Sequence, residues 1–386
     1  MSIFTPAQAA GIASGVYSAR GDTALRASLL RTEGLFEVGG AREFSATSGA
    51  MGWTPMTEFG YITDAGVSSC RGEALIAFRG TDLTQDWVTD ANFLWTVGPS
   101  GNMVHKGFND TWRGCKPVID SFFSGKRPSR IHCVGHSLGG ALATLTADYL
   151  KTTHAASDVQ LYTFGSPRVG GMDFARILTS RVGIANIHRV FHPADPVPTV
   201  PLFPFIHVPA RQNGLAIACG NAERISFAAH SVEHSYVPLM ANVTWANLGT
   251  NARQSLTNRQ IATWLDRCRS GGGGVVQLGA RSLEMIGIAL EWLLRTAAEA
   301  VLASVLASVG NGLTLLDQLV IMLQRGAQLS ARVSLYVQGL IAAILRFLGR
   351  TTLAGASLTV TFIRWVFETL FAEIRGLART AVRMPR

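Results

Sequence analysis

Lysine is scarce in this chain. It occupies four of the 386 positions, although Lys and Arg together number 34 and outnumber Asp and Glu by nine. Arginine therefore carries nearly all of the positive charge, and its guanidinium group binds lipid phosphate as well as nucleic-acid phosphate. The sequence has no run of basic residues and no interleaving of basic with aromatic side chains. Both features are typical of nucleic-acid-binding surfaces, so no nucleic-acid partner is predicted.

Cysteine is also rare, and the five cysteines include no Cys-x-x-Cys arrangement. An odd number of widely spaced cysteines predicts neither a disulfide framework nor a zinc site. No other set of metal ligands stands out, and the sequence predicts no metal and no cofactor. The first twenty residues lack the basic start and Leu-rich core of a signal peptide. We therefore expect synthesis in the cytoplasm without a Sec signal.

A run of glycines at 271–274 marks a change in composition. Before it, acidic and basic residues are mixed. After it, residues 275–386 contain 11 Arg, 6 acidic residues and no Lys among long apolar stretches. This shift predicts a catalytic domain over residues 1–270, a Gly linker at 271–274 and a helical region over 275–386.

The first region alternates short apolar strands with helical patterns. The predicted strands are rich in β-branched and aromatic residues and are bounded by Gly, Pro or Ser; they are 74–78, 131–134, 159–164 and 187–191. Helical patterns lie between them at 109–123, 138–151 and 172–180. Strands alternating with helices in this way predict an α/β fold with a mostly parallel sheet.

Residues 135–140 (GHSLGG) lie between a predicted strand and a predicted helix. A serine on such a tight turn presents its hydroxyl above the sheet, and the crowding there favours glycine two residues to either side. The sequence therefore predicts Ser137 as a nucleophile. The backbone N–H of Leu138, at the start of the helix, and that of Thr81, after the strand 74–78, are the predicted oxyanion donors.

Asp195 is the predicted acid of a catalytic triad. It follows the strand 187–191 in a loop stiffened by prolines, where a carboxylate can reach a histidine across the top of the sheet. A structural turn Asp before proline is the alternative interpretation.

Together these motifs resemble the class 3, fungal-type lipases of the α/β-hydrolase superfamily. The shared motifs occur in the family's order over roughly residues 1–245: FRGT at 78–81, Trp87 in a lid segment, VHKGF at 104–108, GHSLGG at 135–140, FGSPRVG at 164–170 and DPVP at 195–198. The resemblance implies an α/β-hydrolase core and a Ser-Asp-His chain order. It also implies that Asp195 is the acid and that a late histidine is the base.

Two histidines compete for the role of the base. The family's histidine often follows an acid and precedes an aromatic residue, and residues 233–236 (EHSY) resemble that pattern although Tyr236 comes one position early. His234 is therefore the predicted base. His230, one helical turn earlier, is the alternative.

The helical region admits two interpretations. Leucines recur at helical spacing with charges on the opposite face, and every uncharged run is shorter than the about 20 residues of a spanning helix. The helices either pack as a bundle on themselves or on the core, or bind a membrane surface with arginines reaching lipid phosphate. The absence of Lys favours the second.

The leading hypothesis is a serine hydrolase that cleaves ester bonds of lipids, in particular phospholipids of a membrane. The alternative is a membrane-binding or pore-forming protein with a hydrolase-like scaffold. By resemblance alone, lipases that look like this one and lack a signal peptide include antibacterial effectors exported by specialised bacterial secretion systems, and that context would bring an inhibitory or delivery partner protein.

Overall fold

The computed structural model describes residues 3–18, 42–46, 57–64, 72–80, 95–155, 157–209, 215–216, 224–250, 256–305, 314–351 and 357–383. Within these ranges the chain forms an α/β sandwich followed by a helical region. The predicted fold class, an α/β core with a mostly parallel sheet followed by an all-α C-terminal region, is confirmed.

The main sheet has the strand order β1-β2-β3-β6-β7-β8-β9. Its strands are β1 Arg42–Ala46, β2 Thr57–Asp64, β3 Glu73–Phe78, β6 Arg130–His136, β7 Asp158–Phe164, β8 Ile187–Phe191 and β9 Leu215–Ala216. In this sheet β3, β6, β7, β8 and β9 pair in parallel, whereas β1 and β2 pair antiparallel at one edge. A small antiparallel pair, β4 Trp95–Val97 and β5 Met103–His105, lies apart.

The central strands are buried along nearly their whole length, as expected for a parallel sheet covered on both faces. One face packs against α2 Lys106–Phe123, α3 Leu138–Thr153 and α4 Met172–Val182. The other face packs against α1 Pro6–Ser18, α5 Val237–Met240 and α6 Trp245–Thr250. Each face of the sheet has its own apolar core, and successive residues of β3 contribute alternately to the two. Ile76 lies in the first core and Leu75 in the second.

The helical region consists of α7 Asn258–Arg269, α8 Ala280–Val305, α9 Leu315–Leu329, α10 Ala331–Phe347 and α11 Val360–Arg383. Each helix contributes buried apolar residues to one shared core. Helix α7 precedes the glycine run in sequence but packs on α10, close enough that a Cβ on Gly339 would lie 2.3 Å from the carbonyl oxygen of Leu265. This core therefore begins before the run of glycines.

The glycine run forms a turn with fixed hydrogen bonds. Gly271, Gly273 and Gly274 have positive φ angles, which glycine adopts without steric cost. The Trp264 indole N–H donates to the Gly273 carbonyl at 2.9 Å, and Arg346 donates to the Gly272 carbonyl at 2.8 Å. The turn is thereby bonded to both α7 and α10.

The helical core continues into the α/β region. Val197, Val200 and Leu202, from the loop after β8, belong to the same apolar cluster as the helices. The helices thus pack on one another and on the loop that follows β8, as the first of the two interpretations expects. Among the helices that the structure describes, none combines the length and the hydropathy needed to cross a lipid bilayer.

Candidate active site

Ser137 lies at a sharp turn between β6 and α3. Its backbone has φ 56° and ψ −131°, an unusual conformation for a residue with a side chain. A Cβ on Gly135 would lie 2.1 Å from the Gly139 carbonyl oxygen, and one on Gly139 would lie 2.3 Å from the Phe78 carbonyl oxygen. Only glycine fits these two positions, which explains why the turn has the GxSxG pattern.

The Ser137 hydroxyl is hydrogen bonded to a histidine. His230 Nε2 lies 2.9 Å from Ser137 Oγ, and His230 Nδ1 lies 2.9 Å from Asp195 Oδ2. All three residues are almost completely buried. This order is consistent with an Nδ1–H that donates to the carboxylate and an Nε2 that accepts from the serine hydroxyl, which is the arrangement of a Ser-His-Asp nucleophile.

His234 does not join this site. Its side chain is exposed, and its Nδ1 and backbone N–H both contact the Ser231 hydroxyl, at 3.2 Å and 3.0 Å. A 3₁₀ helix, Ala228–His230, ends at the first histidine, and a π-helical turn, Val232–Tyr236, begins after it with Ser231 as its N-cap. The structure therefore corrects the choice of His234 and supports the alternative, His230.

Asp195 is held by two further donors. The Val197 N–H donates to Asp195 Oδ1 at 2.9 Å, and the Tyr236 hydroxyl donates to Oδ2 at 2.7 Å. Burial and the neighbouring Asp195 raise the pKa of Tyr236 well above its ordinary value, so the phenol remains a donor. Gly165, at φ +55°, faces this pair, and a Cβ there would lie 2.8 Å from Asp195 Oδ2.

A second set of hydrogen bonds joins the turn of Ser137 to the N-terminal helix α1. His136 Nε2 lies 2.8 Å from the His230 carbonyl oxygen, and His136 Nδ1 lies 2.7 Å from the Tyr17 hydroxyl. The Gly80 N–H donates to the same hydroxyl at 2.8 Å. The bonds are consistent with a His136 that carries its proton on Nε2 and accepts the Tyr17 proton on Nδ1.

Sequence reasoning missed the roles of Tyr17, His136 and Tyr236 in these contacts. His136 is the variable residue between Gly135 and Ser137 in the GxSxG pattern, which by itself indicates no hydrogen-bonding role. The sequence contains a signal for the role of Tyr236. A tyrosine that follows a histidine by one short helical segment can hydrogen bond to the carboxylate that the histidine contacts. Nothing in the local sequence connects Tyr17 to a site more than a hundred residues away.

Of the two predicted oxyanion donors, Leu138 is among the residues that the structure describes. Leu138 is the first residue of α3, so its N–H belongs to the turn whose amides have no partner within the helix. This N–H and the positive end of the helix dipole lie beside the nucleophile. Thr81 and the predicted lid residue Trp87 lie outside the described residues. Among those that are described, no group of three His, Cys, Asp or Glu side chains is placed to hold a metal ion.

Comparison with known proteins relates the chain to lipases. Residues 75–205 match the model of the class 3 lipase family. A secreted mono- and diacylglycerol lipase of Fusarium solani is 34% identical over 151 residues, which are 38% of this chain and 44% of that protein. A lipase of Rhizomucor miehei is 36% identical over 163 residues, again 38% of this chain and 44% of that protein. The chain spans less than half the length of these curated relatives.

Solved structures give a weaker likeness. A lipase of Rhizopus microsporus var. chinensis superimposes with a TM-score of 0.40 and 24% identity, covering 52% of this chain and 70% of that one. Lipase II of Rhizopus niveus gives the same TM-score and identity, with 52% of this chain and 76% of that one covered.

Proposed function

We propose that this chain hydrolyses the carboxylic ester bonds of lipids, because its residues 75–205 match the model of the class 3 lipase family. The observation that carries the proposal is the buried series Ser137, His230 and Asp195, joined by hydrogen bonds of 2.9 Å. A pore-forming protein that keeps only a hydrolase-like scaffold catalyses no reaction. It requires neither these hydrogen bonds nor the backbone strain at Ser137.

In the proposed reaction Ser137 Oγ attacks the ester carbonyl while its proton passes to His230 Nε2. Asp195 holds the imidazole and stabilises its positive charge. The Leu138 N–H, with Thr81 as its expected partner, stabilises the oxyanion. His230 then protonates the departing alcohol, which leaves an acyl-serine. Water, with His230 again as the base, attacks the acyl carbonyl, and this step releases the fatty acid and restores Ser137.

The finer proposal is that the substrate is a phospholipid at a membrane surface. It is supported by the arginine surplus, since residues 275–386 contain 11 Arg and no Lys. It is also supported by large apolar side chains that are exposed in the helical region, namely Leu329, Leu335, Val360 and Trp365. Arginine beside apolar groups suits the phosphate layer of a bilayer. Mono- and diacylglycerols are the second candidate, because the Fusarium solani relative bears that activity in its name.

The test is a comparison of wild type with Ser137→Ala on two substrates. The purified proteins are incubated with phospholipid vesicles and with an emulsion of mono- and diacylglycerols, and the products are identified by mass spectrometry. We expect wild type to release fatty acid and lysophospholipid, and Ser137→Ala to be slower by at least about 10³-fold.

The outcomes separate the two levels of the proposal. Release of fatty acid from acylglycerols alone would contradict the phospholipase proposal and retain the lipase. Equal rates for wild type and a folded Ser137→Ala would contradict ester hydrolysis by this site.

A further inference from the structure

The catalytic acid and base lie on short turns that have little stability of their own. Asp195 is followed by the 3₁₀ helix Val197–Thr199, and His230 is the last residue of the 3₁₀ helix Ala228–His230. Helices of three residues form too few hydrogen bonds to hold their position in isolation. The location of both side chains must therefore depend on what packs against these turns.

The packing partner of the acid turn is the helical region. Val197 is fully buried, yet its side chain belongs to the core formed by α7 to α11 and not to either core of the sheet. Its N–H, on the same residue, donates to Asp195 Oδ1. Both α8 and α11 pack against this turn. The residue that holds the carboxylate is thus itself fixed by the helices.

The base turn has the same partner. Helix α11 packs against the turn Ala228–His230, and Phe227, its N-cap residue, packs on the core of the helical region. One helix therefore contacts the turns of both the acid and the base.

Main-chain hydrogen bonds reinforce this contact. The Leu278 N–H donates to the Phe347 carbonyl at the end of α10, and the Ile225 N–H donates to the Leu278 carbonyl at 3.2 Å. The next residue, Ser226, donates its N–H to the carbonyl of Ala194 at 2.9 Å. A series of backbone bonds thus leads from the helical region to the residue before Asp195.

We propose that the helical region positions the catalytic side chains, so that hydrolysis of any ester, including a small soluble one, requires its contacts with these two turns. The helices act on the chemistry through His230 and Asp195 and touch no reacting atom. A displacement of about 1 Å in a catalytic group can cost about 10²-fold in rate. The inference rests on the proposed ester hydrolysis.

The test compares two phenylalanines on the same core. Phe227→Ala removes the packing between the base turn and the helices. Phe362→Ala is the matched control, because Phe362 is also partly buried against this core but lies at the start of α11. With a soluble short-chain ester we expect Phe227→Ala to lower kcat at least about tenfold, with KM little changed, and Phe362→Ala to stay within about twofold of wild type. Phe227→Leu, which restores most of the apolar contact, should recover most of the rate.

A second measurement does not depend on activity. The proton between His230 Nδ1 and Asp195 Oδ2 should give a far-downfield NMR signal, which Phe227→Ala should shift or broaden and Phe362→Ala should preserve. If both variants keep the signal and similar rates, the helices are a packed appendage and the inference is wrong. If wild type cleaves no ester but the signal still depends on Phe227, the proposed function fails while the positioning holds.

Discussion

At the residue scale, the site can be predicted from sequence where the chemistry is local. Ser137 and its glycines lie within six consecutive residues, and their steric requirements follow from one turn. Asp195 follows a strand whose end must lie at the same edge of the sheet as the turn of Ser137. The structure brings both residues to one point, as the sequence predicts.

The histidine is different because its choice depends on where one short helix ends and the next begins. Both His230 and His234 satisfy the requirement of a late histidine. His230 faces Ser137 because the backbone is extended at Ser231, where ψ is 126°. The π-helical turn starts only after this residue. Residues 231–234 (SVEH) carry a capping signal, and this signal indicates that a new helix starts after His230.

We therefore predict a sharp asymmetry between the two histidines. His230→Ala should be as slow as Ser137→Ala on a soluble ester, because the two residues act as one unit and their losses are not additive. His234→Ala should retain at least half of the wild-type kcat, since its exposed ring contacts only the Ser231 hydroxyl in the described structure. The kinetics of the two variants and of His230→Ala combined with Ser137→Ala would show this. An inactive His234→Ala variant together with an active His230→Ala variant would contradict the assignment of His230 as the base.

Tyr17 provides a second prediction at this scale. Tyr17→Phe removes the oxygen that contacts His136 and Gly80 and leaves the ring in place. Because Gly80 precedes Thr81, an expected oxyanion donor, and His136 contacts the His230 carbonyl, we expect kcat to fall about tenfold. Losing the two hydrogen bonds of the Tyr17 hydroxyl should cost about 1–3 kcal/mol of stability.

The control for Tyr17 is Tyr149→Phe. Its hydroxyl contacts Asp120 on the exposed side of α2 and α3, remote from Ser137. Steady-state kinetics and urea denaturation of both variants separate the two effects. An unchanged kcat in Tyr17→Phe would show that this network serves stability alone.

At the element scale, the strands and helices of the α/β core follow from periodicity. The predicted strand 187–191 has the observed bounds, and the predicted helix at 138–151 lies within α3. Helix α7 shows the limit of local patterns. Its residues are polar enough to suggest a surface helix of the first domain, but Ile261 and Leu265 pack in the core of the helical region. Such assignments depend on contacts across the chain, which composition does not encode.

Two helical glycines give a matched test of that packing. A Cβ on Gly339 in α10 would lie 2.3 Å from the Leu265 carbonyl oxygen, whereas one on Gly376 in α11 would meet nothing within 4 Å. Gly339→Ala should force α7 and α10 apart and lower the free energy of unfolding by about 1–3 kcal/mol.

Gly376→Ala should do the opposite. It should stabilise the protein by about 0.5–1 kcal/mol through helix propensity. Urea denaturation of both variants measures the difference. Equal effects of the two substitutions would show that α7 and α10 are not in the close contact described.

At the scale of the whole molecule, buried neutral histidines link stability to pH. His188 stacks between Tyr162 and Trp245, and its Nε2 has no hydrogen-bond partner among the described residues. Burial lowers the pKa of His188 to about 4, and His132 acts in the same direction. The unfolded chain has an ordinary pKa near 6.5. Stabilisation is therefore complete above pH 6.5 and is lost as the pH falls from 6.5 towards 4.

His188→Phe should remove this part of the pH dependence, because phenylalanine keeps the stacking and binds no proton. The difference between the two pKa values corresponds to about 3 kcal/mol near pH 4. Urea denaturation at several pH values between 7 and 4.5 should show a shallower loss in the variant. His234→Ala, which changes an exposed ring, should keep the wild-type slope. A variant slope equal to that of wild type would contradict a buried, neutral His188.

The contact between α11 and the turn of His230 has a consequence for biosynthesis. Helix α11 begins more than a hundred residues after His230. At about 5–20 residues per second, a ribosome needs on the order of ten seconds to add those residues. During that interval the emerging chain already contains Ser137, Asp195 and His230 but lacks the helix that packs behind two of them. If the helices position these side chains and the chain hydrolyses lipid esters as proposed, a cell that makes this protein is not exposed to that activity until translation has passed α11.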